Sequence, residues 1–128
     1  MTLDEILSMK PGLELDALVA EKVMEWKTNW LKTDWYEEIN PNTHRHKGSA
    51  TNFKPSTDIA AAFEAEERAI DKDPSMYIHA LASVVFGYSQ VQDISDIRKM
   101  CMLIHATPEQ RCKAALLAVM DGEDEHGD

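Results

Sequence analysis

The segment Thr107-Pro-Glu-Gln-Arg-Cys-Lys-Ala-Ala-Leu-Leu-Ala-Val-Met120 constrains the fold more than any other. Thr107 can cap a helix, Pro108 suits the first helical position, where no amide donor is needed, and Gln110 completes a capping box. A helix therefore starts here. Cys112, Ala115, Leu116 and Val119 fall at i, i+3, i+4 and i+7, a stripe that must be buried, and Leu117 and Met120 widen it. A chain of 128 residues can build one core around such a helix but not two, so a single domain over 1–120 is expected.

Upstream, Thr2-Leu-Asp-Glu5 is a second capping box and predicts a short helix over 3–8, stopped at Lys10-Pro11-Gly12. The next helix is expected over 13–24, with Leu15, Leu18, Val19 and Val23 as its apolar stripe and Glu14, Asp16, Glu21 and Lys22 on the wet side. Between 25 and 39 the residue types change. Trp26, Trp30, Trp35 and Tyr36, with Thr28, Thr33 and Ile39, favour one or two short strands. Residues 40–52 are polar and rich in turn formers, which suits a loop or hairpin tip. Pro55-Ser-Thr-Asp58 restarts helix to about Lys72, along which Ile59, Ala62, Phe63, Glu66, Glu67 and Ile70 form a stripe with a charged flank.

Met76 to Phe86 alternates, with Ile78, Ala80, Ala82, Val84 and Phe86 on one side, and predicts a central strand. Ile97 to His105 is expected as its antiparallel neighbour, feeding the final helix. The fold class is thus α+β with a small, mainly antiparallel sheet. Residues 121–128, Asp-Gly-Glu-Asp-Glu-His-Gly-Asp, contain nothing apolar to bury and are expected as an acidic disordered tail.

The formal net charge of −10, from 13 basic and 23 acidic residues, repels a phosphate backbone, so no nucleic-acid partner is expected. Cys101 and Cys112 lie in apolar patterns and are expected as buried free thiols in a reducing compartment. The sequence has no secretory signal and no run of 18 apolar residues, which predicts a cytoplasmic protein without a membrane partner.

Candidate chemistry is sparse. His44 and His46 could share a metal on a strand face, with Asp34, Glu37 or Glu38 assisting, but the spacing shows no converging third and fourth ligand, so no metal is expected. His79 and His105 are expected as satisfied histidines of the sheet. Ser56 or Thr57 can cap the helix they precede, with Asp58 complementing its positive terminus, and Glu14, Asp16 and Glu64 to Arg68 read as solvated helix faces with ion pairs such as Glu64 with Arg68. No catalytic residue and no cofactor is expected. The aromatic segment could stack a planar ligand, pack, or form a contact surface, which gives Trp30, Trp35, Tyr36, His44, Arg45 and His46 as candidate binding residues.

Taken in order, Met1-Thr-Leu-Asp-Glu-Ile-Leu7, Glu14 to Met24, Pro55-Ser-Thr-Asp-Ile-Ala-Ala-Ala62 before an aromatic, and Arg111-Cys-Lys-Ala-Ala-Leu-Leu-Ala-Val119 resemble the phage ABA-sandwich domain family. Leu15 to Val23 and Ser56 to Ala62 are the most specific pieces. The resemblance implies an α/β/α sandwich with helices on both sheet faces, a phage or prophage origin in a bacterial host cell, and no established activity. The expected function is a non-catalytic accessory protein that binds a host protein, a phage protein or itself. The alternative is a protein that sequesters a small ligand or nucleotide in phage-host conflict. A homo-oligomer is expected through Trp26 to Ile39, because a small sheet leaves edges and the segment is aromatic.

Overall fold

Thr107 and Gln110 close their capping box reciprocally: Gln110 N donates to Thr107 Oγ1 at 3.1 Å and Thr107 N to Gln110 Oε1 at 2.9 Å. The helix they start, α6 (Pro108–Gly127), is the axis of the computed structural model, which describes residues 2–28, 35–38, 46–49, 53–87 and 97–127. Every residue from Arg111 to Met120 is buried. A helix covered on all sides needs neighbours all round it. They are α1 (Leu3–Ser8), α2 (Leu13–Leu18) with the π-helical turn Val19–Val23 that continues it, α3 (Ile59–Lys72) and α4 (Pro74–Phe86). The backbone of α6 carries on through the acidic residues 121–127, the stretch read above as a disordered tail.

The close approach of α3 follows from its small residues. Ala61, Ala62, Ala65 and Ala69 are buried, whereas Ile59, Phe63 and Ile70 of the stripe picked out in the sequence are exposed. Alanine on the inner face lets α3 pack closely on α6, whose Ala114, Ala115 and Ala118 are likewise buried. Its bulky apolar residues are left outside. Asp58 caps the helix, accepting from Ala60 N at 3.2 Å.

The α/β/α sandwich is not the architecture found, and the fold is helical. The expected central strand is α4: Asp73 Oδ1 accepts from Met76 N at 3.1 Å, Pro74 occupies the first turn, and Tyr77, Ala80 and Leu81 are buried at helical spacing. Its expected partner strand is α5 (Ile97–Ile104), anchored by the buried Leu103. Both segments are rich in apolar residues on two faces, where periodicity separates strand from helix poorly. At α4 the Asp73-Pro74 cap favours helix.

Strand structure among the described residues is confined to β1 (Trp26–Thr28), β2 (Trp35–Glu38) and β3 (His46–Ser49), an antiparallel meander in the order β1-β2-β3. β1 and β2 fall where short strands were expected; β3 falls in the expected loop. Glu25, a non-glycine residue with φ of 60°, turns the chain from the π-helical turn into β1. Trp26 is buried edge-on to Phe53 with ring centroids 4.8 Å apart, and so belongs to the core.

Two further expectations change. Asp16, placed on the wet side of its helix, is buried and accepts from Ser56 N at 2.8 Å. Cys101 is exposed, while Cys112 is buried as expected, and both are free thiols.

Candidate functional site

Cations close the C-terminal ends of helices at three places, where unpaired carbonyls need donors. Arg68 Nη2 donates to Met24 O at 3.0 Å, at the end of the π-helical turn, rather than pairing with Glu64 as expected. Lys113 Nζ, buried on α6, donates to Leu7 O of α1 at 2.9 Å and to Glu109 Oε2 at 2.7 Å. Arg111 does the most: Nη2 reaches Ile104 O at 2.7 Å and Nε reaches Ala106 O at 3.0 Å, closing α5, while Nη1 pairs with Glu66 Oε1 of α3 at 2.6 Å. Its guanidinium also lies 4.9 Å from the centre of the Phe63 ring.

Glu66 Oε1 accepts in addition from Tyr77 Oη of α4 at 2.6 Å. The Arg111, Glu66 and Tyr77 cluster therefore ties four helices together. Above it opens a groove with a volume of about 370 Å³. Ile70, Pro74, Ile78, Leu81, Leu103 and Ile104 form its walls, and the three polar side chains lie at its base.

The groove is the junction of two exposed apolar stripes. On α3, Ile59, Phe63 and Ile70 stand at i, i+4 and i+11, with Phe63 47% exposed. On α5, Ile97, Met100 and Ile104 stand at i, i+3 and i+7, with Ile97 78% and Ile104 70% exposed. Single exposed apolar side chains are ordinary on a protein surface; two stripes meeting in one groove are a patch of the kind that binds.

The chemistry available in the groove is recognition. Glu66 already receives two donors and Arg111 is committed to Glu66 and two carbonyls. Burial first, then the hydrogen bond to Glu66, raises the Tyr77 phenol far above its ordinary value and keeps it neutral. The buried Cys112 thiol is pushed up to about 12, by burial and then by the Asp16 and Glu109 charges, which leaves it a poor nucleophile. Among the described residues no three His, Cys, Asp or Glu side chains gather as a metal site.

Of the sequence-predicted binding residues, Trp35 and Tyr36 lie on β2, opposite Ser49 and Gly48, and His46 opens β3 opposite Glu37. Trp30, His44 and Arg45 lie outside the described residues, as does Asp34. His79 and His105, expected on strands, are both exposed; His79 is on α4 with Nδ1 2.8 Å from Ser75 O, and His105 follows α5. Sequence reading missed the Arg111 cluster. The signal was there: Arg111 and Lys113 stand at the head of a helix whose residues from Ala114 to Met120 are all apolar, and a buried cation requires a buried partner.

Fold and surface define a small helical domain built round one buried helix, with an apolar face left open between two of its outer helices. The chain belongs to the phage ABA sandwich domain family, which it matches over residues 17–116, from α2 into α6. No curated protein and no solved structure matches it. Among the described residues no helix is long and apolar enough to cross a membrane.

Proposed function

We propose that this phage-family domain is a non-catalytic accessory protein of the bacterial host's cytoplasm, and that it acts by binding another protein through the exposed face of α3 and α5. The observation that carries the reading is the outward stripe Ile97, Met100 and Ile104 on a helix whose buried anchor is Leu103. Such a stripe stays in water until something covers it. Site-specific photocrosslinking in bacterial cells tests this. A benzophenone amino acid at Ile97 is expected to yield a discrete protein adduct, and the same group at the exposed Glu14, on the opposite flank of the sequence, is not. Equal labelling at both positions, or none at Ile97, contradicts the reading.

A second reading rests on the groove itself. Its volume of about 370 Å³ lies within the range of small-molecule sites, and its polar base could orient a ligand. Native mass spectrometry of gently isolated protein would favour it by showing a retained small molecule on the 14.5 kDa chain. The same spectrum reads subunit number and so tests self-association through Trp30 and Trp35.

A further inference from the structure

We infer that the partner segment is a cationic amphipathic helix, seated in the cleft between α3 and α5 with its basic edge toward α3. The inference rests on the reading that this face binds protein and adds the class of partner. The walls of the cleft are helices, α3 and α5 with α4 between them, whose main-chain groups bond within themselves, so an added strand would find no backbone partners there. A helix brings its own hydrogen bonds and needs only apolar knobs. The stripe from Ile59 to Ile70 extends over roughly 17 Å at about 1.5 Å per residue, a length that three turns of a partner helix cover.

Charge selects among such helices. Glu64, Glu67 and Asp71 are exposed at i, i+3 and i+7 on α3, in a line running beside the Ile59, Phe63 and Ile70 stripe. The basic residues of that helix point elsewhere: Arg68 reaches back to Met24 O and Lys72 lies 3.6 Å from Glu25. A second copy of this chain would carry a net charge of −10 onto a surface already acidic along α3. A basic helix is attracted by the same field.

The test uses the full chain and two synthetic helical peptides that share one leucine stripe, the first flanked by lysines and the second by glutamates. Fluorescence anisotropy is expected to show the lysine peptide binding roughly ten-fold or more tighter, with the gap closing between about 0.05 and 0.5 M salt. Glu64→Lys/Glu67→Lys/Asp71→Lys should reverse the preference. Ile70→Ser/Ile104→Ser, both at exposed positions, should abolish binding of the lysine peptide with the circular dichroism spectrum unchanged. Equal binding of the two peptides overturns the inference, as does undiminished lysine-peptide binding by the double serine variant, which would mark nonspecific attraction. A dimer in sedimentation equilibrium that the double serine variant converts to monomer also overturns it, since a second copy is then the occupant. Failure of the lysine peptide beside a specific adduct at Ile97 overturns the partner class alone; failure of both removes the binding face.

Discussion

Asp16 Oδ1 accepts the backbone N–H of Ser56 at 2.8 Å, and Ser56 Oγ accepts that of Gly12 at 3.0 Å. The two segments on which the family resemblance most depends, Leu15 to Val23 and Ser56 to Ala62, thus meet across 40 positions of sequence. The contact sets α2 against the start of α3. Asp16→Ala strands a buried amide donor and is expected to cost about 1 to 3 kcal/mol in urea unfolding. Asp16→Asn keeps an acceptor and should cost less; equal losses would mean that the hydrogen bond is not the source.

Leu116 is fully buried at the middle of α6. Leu116→Ala should lose about 2 to 5 kcal/mol, the scale of large-to-small changes in packed cores. A loss under about 1 kcal/mol in chemical denaturation would show that α6 is not the axis of the core.

Arg111→Met removes the partner of Glu66 and the donors to Ile104 O and Ala106 O. Breaking one side of a buried pair costs about 3 to 5 kcal/mol. Arg111→Met/Glu66→Leu should be less destabilised than Arg111→Met alone, because no unpaired carboxylate remains. A double variant worse than the single would show that the charge pair matters less than the capped carbonyls.

The raised Cys112 pKa makes stability fall at alkaline pH. The thiol stays protonated in the folded chain to about 12 but ionises near 9.0 when unfolded, so the unfolded state binds fewer protons in between. Its contribution is whole below the unfolded value and is lost as pH rises through that window, at up to about 1.4 kcal/mol per pH unit. Tyr77, raised from 10.0, acts in the same direction. Cys112→Ala should make the urea midpoint less steep between pH 9 and 11; an unchanged slope would assign the effect elsewhere.

Helix starts were legible wherever a side chain supplies the first donor's partner. Thr2 accepts from Glu5 N at 3.2 Å and Thr107 caps as its sequence indicates, while at α3 the capping side chain is Asp58 and not the expected Ser56 or Thr57. Asp73-Pro74 has the same form as Thr107-Pro108 and announced α4, but the alternation after Met76 obscured it. The surface was harder, because α3 has two possible inner faces. Burying Ala62 and Ala65 brings the α3 and α6 backbones closer than burying Ile59 and Phe63 would allow, a choice made by the neighbour and invisible in α3 alone. The groove needed Arg111, Glu66 and Tyr77 from three helices, and no local spacing joins them.

The account depends on the α5 stripe being free in the folded chain, and the urea unfolding free energy of Ile97→Ser/Ile104→Ser measures that directly. At up to about 0.5 kcal/mol for each exposed site, the expected loss is no more than about 1 kcal/mol. A loss of about 4 kcal/mol or more, the scale of two isoleucines taken from a packed core, would show that these residues hold the fold together and leave no open face for a partner.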